Sequence, residues 1–434
     1  MKKPCIVGLL LLLLSGCASY SSSFQRIESL LAQQKPREAL LELDKHPVSG
    51  ADKLLYLLDK AMLQRMSGLY AESNVSFEAA KKVIESLQGT SLVEQAGALT
   101  LNDSVMSYEG ESFEQVYIHL YEALNYLALG QLDEARVEAL QVDERFKALA
   151  EDNGESLIAG AFAHYLAGMI YEAEGEVDQA MVSYRKAYEI YRKQGKTLGV
   201  AAVPRFLQQD LLRLSKQLGL MDEFEAYKKQ FKDVAEQQSG HEADMGEVVL
   251  LLHAGLAPIK RARDVFINTD DGVPVRISLP VYQSRPTVVK GATLQVGNIS
   301  RDAVLVDNVD AMAKVSLEKR RPAMVARLVA RAVAKAALSN KAEQQGGELA
   351  GFLMDVAAMA TETADTRSWL TLPKHIYLFR MALPEGEYPA LLTLMGTQGQ
   401  ALTGIDLGTI HIKSGRILFM DKTYIPPSSF GRVM

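Results

Sequence analysis

The sequence predicts an α+β protein of several domains: a helical repeat array first, then a mostly antiparallel β domain carrying a helical insertion. Three observations predict it. From Phe24 to Met245 glycine and proline are sparse and apolar residues recur at helical spacing. Beyond Met245, β-branched runs are punctuated by Gly, Pro and Asp. The charge changes at the same place: residues 24–245 hold 23 Lys+Arg and 36 Asp+Glu, net −13, whereas residues 246–434 hold 22 and 17, net +5. The expected division is 1–16, a signal peptide; 17–23, a tether; 24–236, the array; 237–245, a polar linker; and 246–434, the β domain with helices near 309–363.

The chain opens MKKPCIVGLLLLLLSGCASYSSS. Its apolar run, Cys5 to Leu14, is about half the twenty residues a membrane-spanning helix needs. With Lys2 and Lys3 before it and Ser15 and Gly16 after it, the run reads as an export signal. Leu14-Ser15-Gly16-Cys17 resembles the lipobox of bacterial lipoproteins, which implies acylation of Cys17 as the first mature residue. Ala18 and Ser19 follow, with no aspartate of the kind that retains such proteins in the inner membrane, so the expected location is the outer membrane, facing the periplasm. The other cysteine, Cys5, lies in the discarded segment, so an ordinary hydrophobic core rather than disulfides must hold the mature chain.

Within the first half, SLIAGAFAHYLAGMIYEAEGEVDQAMVSYRKAYEIYRK places Gly168, Tyr171, Gly175, Ala180, Tyr184 and Ala187 at the small, large, turn, small, aromatic and small positions of a helical hairpin. The stretch resembles a tetratricopeptide repeat (TPR). Ala123, Tyr126, Gly130 and Ala135 repeat the offsets, with Ala139 at the aromatic position, and Ala61, Gly68, Phe77 and Ala80 repeat them again. A pair around Gly219 and the opening QRIESLLAQQKPREALLELDK keep the hairpin shape. The turn glycines are 62, 45 and 44 residues apart, so insertions separate the units, the largest at residues 89–112. Stacked hairpins expose an extended concave surface suited to a partner segment, here an acidic one.

In the second half GEVVLLLH, DVFI, VRISLP, ATLQV, AVLV, HIYLFRMAL, EYPALLTLM, TIHI and RILFMDKTYI read as strands. GTIHIKSGRILFM reads as a hairpin turning at Lys413-Ser414-Gly415. Helices are expected at about 309–345 and 348–363, with Pro322 in a first turn and Gly346-Gly347 as a break. On the helical wheel Arg320, Arg327, Arg331, Lys335 and Lys341 fall within about a third of the circumference, with Val325, Leu328, Val329, Ala332 and Ala336 opposite. This basic stripe is a solvated face, an ion-pair partner of the acidic array, or a contact for anionic lipid or an acidic protein. In ADTRSWLTLPKHIYLFR, Asp365 and Arg367 are expected to pair while Trp369 caps the core.

Catalytic signatures do not emerge. The seven histidines are scattered in sequence without His-Glu-x-x-His, and neither a phosphate loop nor Gly-x-Ser-x-Gly occurs. No metal or other cofactor and no nucleic-acid partner is expected. GEVVLLLHAGLAPIK, YEGESFEQVYIHLYEALNYLALG and ADTRSWLTLP resemble stretches shared by a family of TPR lipoproteins from diderm bacteria, a resemblance that implies architecture and location but no mechanism. The expected role is a non-enzymatic, lipid-anchored adaptor for another envelope protein, with a small-ligand carrier built on the β domain as the alternative.

Overall fold

The computed structural model describes residues 20, 24–46, 48–88, 106–153, 160–200, 202–232, 234, 244–268, 274–347 and 363–427. The signal, Cys17, most of the linker and the expected helix at 348–363 lie wholly or almost wholly outside these residues.

Among the described residues, five helical hairpins come first. They are α1 (Gln25–Ala32) with α2 (Pro36–Leu43), α3 (Lys53–Met66) with α4 (Tyr70–Gln88), α5 (Ser112–Ala128) with α6 (Leu132–Asn153), α7 (Ala161–Ala173) with α8 (Val177–Gln194), and α9 (Arg205–Gln217) with α10 (Met221–Gln230). Every turn passes through one left-handed residue: Gln34, Gly68, Gly130, Gly175 and Gly219, with φ of 59°, 78°, 72°, 82° and 70°. Four of the five are glycine because a Cβ disfavours that conformation. Close helix approach explains a further glycine, since a Cβ on Gly168 would lie 2.3 Å from the Tyr184 ring. Ala180 and Ala187 are fully buried beside it. Each second helix packs on the first helix of the next hairpin, which makes the array TPR-like.

Two four-stranded sheets follow. The central sheet has the order β10 (Ile417–Tyr424), β1 (Met245–Ala254), β7 (His375–Pro384), β6 (Val304–Asn308), with β1 and β10 parallel and the other pairs antiparallel. The outer sheet is antiparallel throughout: β5 (Ile299–Asp302), β4 (Gly291–Val296), β8 (Gly386–Met395), β9 (Ala401–Ile412). A separate hairpin of β2 (Ile259–Asn268) and β3 (Pro274–Gln283) packs Ile277 against Leu328 and Ala332 of the long helix α11 (Val309–Gly346).

These parts form three layers, array on central sheet on outer sheet. Val249, Leu251, Ile376 and Leu378 join the core of the array. Val248, Leu250, Leu252, Tyr377, Phe379 and Met381, pointing the other way, join Leu294, Leu392 and Ile410 of the outer sheet. GEVVLLLH lacks polar alternation because both of its faces are covered.

Three local expectations are corrected. Lys413-Ser414-Gly415 is not a hairpin turn, because β9 pairs with β8 in the outer sheet while β10 pairs with β1 in the central one. The chain crosses between layers there, and Gly246 leaves room for it: a Cβ would sit 2.3 Å from the Lys413 carbonyl oxygen. Pro322 does not begin a helix either, since α11 runs through it. Pro322 and Glu318, whose carbonyl loses its helical donor, are both exposed, so water can take the place of the missing N–H. The basic stripe breaks up as well, because Arg331 is buried to 1% exposure on the side of Leu328 and Ala332. The outward arc of α11 carries Ala330, Val333 and Ala337 alongside only two of the stripe's basic residues, Arg327 and Lys341.

Candidate functional site

The first helices of the hairpins should line the inner face of the array, and the central sheet covers them. Every residue of α7 from Ala161 to Glu172 is buried, as is most of α5 from Phe113 to Asn125. Polar side chains stitch this seam. Arg380 of β7 donates from Nε and Nη2 to Glu247 of β1 at 2.8 and 2.7 Å, and from Nη1 to Asp210 of α9 at 2.5 Å. Tyr165 donates to the same Asp210 at 2.9 Å, and Arg213 bridges Asp210 and Glu172 at 3.1 and 2.6 Å.

Further along the seam, Tyr117 of α5 donates to Asp307 of β6 at 2.5 Å, and Tyr191 donates to the Val306 carbonyl at 2.6 Å. Burial raises the Asp307 carboxyl to about 6 against the pull of Tyr117. Arg65 of α3 reaches Asp421 of β10 at 2.8 Å. Beside it the Tyr121 ring lies tilted against His253, whose imidazole pKa burial lowers to about 4, so it is neutral at neutral pH. Asp59 accepts from Tyr20 at 2.9 Å and from the Thr371 amide and hydroxyl at 3.0 and 2.8 Å. Burial drives its carboxyl up to about 7 although those bonds favour the anion.

The expected clamp is formed. Arg367 donates to both oxygens of Asp365 at 2.9 and 2.7 Å and holds the Met106 carbonyl at 2.8 Å, so the last part of the 89–112 insertion is tied down. Trp369 lies edge-on to Phe77 and Tyr121 in the core. Among the other candidates, Arg320 is half-buried and pairs with Glu111, which Lys260 also reaches at 2.5 Å. Arg327 and Lys341 are exposed, and Lys335 is half-buried. The structure therefore disperses the predicted contact residues over a seam, a core and a surface.

On the opposite side of the array a polar groove of about 600 Å³ runs between α4, α5 and α6, with His119 and Glu138 in its lining. His119, Glu122 and Glu138 bring ligand atoms within 4.8 Å of one another, a grouping that their sequence separation hides. His119 Nδ1 is 2.7 Å from Glu138, and the Lys81 ammonium stands 2.8 Å from Glu122 and 3.4 Å from Glu138. Burial works against that ammonium, but Glu122 and Glu138 outweigh it and hold its pKa above the usual lysine range. Burial and the Glu138 charge push Glu122 to about 9. Lys81 thus supplies the cation this cluster requires, and a metal would have to displace it.

No family model matches the chain, and no curated protein matches it. Solved structures similar to part of it include MamA from AMB-1, with 15% identity, 50% of this chain and 93% of that chain covered, and a TM-score of 0.30. BtubC from P. vanneervenii gives 19%, 54%, 82% and 0.32. The TPR-like repeats of a Podospora anserina kinesin light chain give 18%, 49%, 94% and 0.31. The likeness is confined to about half of this chain.

Proposed function

We propose that the chain is a lipid-anchored, non-catalytic adaptor of the bacterial cell envelope that holds a protein partner on the outward side of its TPR-like array, along the groove between α4, α5 and α6. The occupied inner face carries this reading. Stacked hairpins commonly bind partners on the concave side, but here the chain's own sheet fills that position, leaving the second helices and their groove for a partner. Acylation of Cys17 would tether the array to the membrane, and no helix among the described residues is long and apolar enough to cross one. The small-ligand alternative gains less support, because the facing side chains of the two sheets pack against each other.

A photo-crosslinking residue placed at Glu85 or Glu144, in the groove lining, should trap one protein in intact cells, whereas the same residue at Leu402 of β9 should not. Equal capture from all three positions would sink the adaptor reading. Cys17→Ala should abolish palmitate labelling and release the chain from membranes; persistence with membranes through high salt would refute the anchor.

A further inference from the structure

One position of the array carries an exposed aliphatic side chain in every hairpin. Seven residues after the left-handed turn residue of each hairpin stand Leu41, Val75, Val137, Val182 and Ala226. All five are exposed, the first four at 65%, 70%, 52% and 41%. The phase is the same throughout, because the residues two places earlier, Ala39, Ser73, Ala135, Ala180 and Phe224, are all buried. Valine gains nothing there from the helix itself, since β-branching lowers helix propensity and an outward helix face ordinarily carries polar residues. Single exposed aliphatics are ordinary, but one at the same position of successive hairpins forms a row.

The row has an electrostatic border and a recess. About one turn earlier on each second helix stands an exposed acid: Glu38, Glu72, Glu134, Asp178 and Asp222. Beside Val75 a hollow of about 440 Å³ is lined by Ala71, Ala79, Tyr126 and Leu129 among others.

The outer half of α11 has the complementary chemistry. Ala330, Val333, Ala337 and Leu338 share an arc of about 140° with Arg327 and Lys341 at the α-helical repeat. All six are exposed, Val333 at 50% and Leu338 at 54%. Both surfaces are exposed within one molecule, so contact between them requires another. We propose that a second copy of this chain lays the outward face of α11 across the aliphatic row, with Leu338 or Val333 entering the hollow beside Val75 and Arg327 and Lys341 facing the acidic border. Helix-on-helix packing buries the aliphatics, and opposite charges set the direction of approach. Because the two surfaces differ, the contact is either made twice about a two-fold axis, giving a reciprocal isologous dimer, or runs head-to-tail into a ring or chain.

Full-length chains with Val137→Cys or Leu338→Cys, carrying different tags and mixed under mild oxidation, test the contact. The disulfide-linked pair formed between these two variants should exceed a control pair of Val137→Cys with Leu402→Cys by about tenfold, a difference of about 1.4 kcal/mol. Glu72→Arg with Glu134→Arg in the first chain should cut the yield about fivefold or more, and Arg327→Glu with Lys341→Glu in the second should restore it. Yields equal to the control, indifference to charge reversal, or linkage only when both cysteines share one chain would each overturn the proposal. A chain whose α11 variants lose binding to anionic vesicles while no linked pair forms would assign that face to lipid instead. Val137 also belongs to the lining of the α4–α6 groove, so a second copy trapped from Glu85 or Glu144 would support this contact and a different protein the adaptor reading, and absence of the self-pair leaves that crosslinking test intact.

Discussion

Toward the array, strands β1 and β7 present Glu247, Val249, Leu251, His253, Ile376, Leu378 and Arg380; toward the outer sheet they present Val248, Leu250, Leu252, Tyr377, Phe379 and Met381. Both sides are buried. The apolar side can gain its burial free energy in several neighbouring registers, because hydrophobic contact is not directional. The side toward the array cannot, since Arg380 must meet Glu247 and Asp210 together in fixed geometry. Buried charge at a seam thus ties orientation to stability: an array displaced on the sheet would leave ions unpaired in a dry interface.

The largest break in this contrast should come from Arg380→Met. Glu247 and Asp210 would stay buried while losing the guanidinium they share, a change that costs about 3–5 kcal/mol. Urea unfolding should show the loss, and adding Glu247→Leu should recover part of it because one uncompensated charge is then gone. No recovery would mean that packing around the arginine stem, rather than charge, holds the seam.

On the apolar side Leu250→Ala should cost somewhat less, about 2–4 kcal/mol, through lost transfer energy and the cavity left behind. The double-mutant coupling of Leu250→Ala with Arg380→Met should be small, since their side chains leave the sheet on opposite faces. Strong coupling would show the two faces to be one cooperative unit.

How much of this contrast is legible in the sequence differs by layer. Hairpin spacing locates four turn glycines and the buried partners Ala180, Tyr184 and Ala187, because helical packing is local and periodic. GEVVLLLH identifies a strand from its run of apolar residues. The seam is illegible, since Arg380 lies 133 residues from Glu247 and 170 from Asp210, and no local pattern marks them as partners. Strand–turn–strand at Lys413–Arg416 reads the same whether the strands pair or separate into two sheets, so Gly415 misleads there. Arg331 is misplaced by a wheel built on the charges, which puts the basic side outward, whereas the β2–β3 hairpin settles which side of α11 is covered. The aliphatic row is readable at a fixed offset from the turn residues, but its exposure is not.

pH should sharpen the comparison, because Asp59 and His253, whose pKa values burial displaces in opposite directions, both lie on the seam. Asp59 has its pKa raised from 3.8 to about 7, so the folded state holds more protons than the unfolded state between those values. Its contribution to stability is therefore full below pH 3.8 and lost as pH rises toward 7. His253 does the opposite: lowered from 6.5 to about 4, it contributes stability that is present above 6.5 and lost as pH falls toward 4. The two oppose each other in one window. Asp59→Asn should remove the falling contribution and tilt the stability curve upward with pH by at most about 1.4 kcal/mol per pH unit. A denaturation series between about pH 4 and 7 with unchanged slope would show that Asp59 is ionised in the folded state.

The smallest effect on stability should come from the outer row, and it separates surface from core over two residues of one helix. Ala180 is fully buried where α8 approaches α7, so Ala180→Glu must bury a charge and should cost on the order of 3 kcal/mol or more. Val182, on the same helix, is 41% exposed, so Val182→Glu should alter stability by no more than about 0.5 kcal/mol and could gain from the better helix propensity of glutamate. Thermal melts of the two variants side by side give the measurement. If Val182→Glu destabilises the chain as much as Ala180→Glu, the valine is part of the packed core and the row of exposed aliphatics is not a free surface. If it leaves the melt unchanged while lowering self-association, the row is retained for contact rather than for folding.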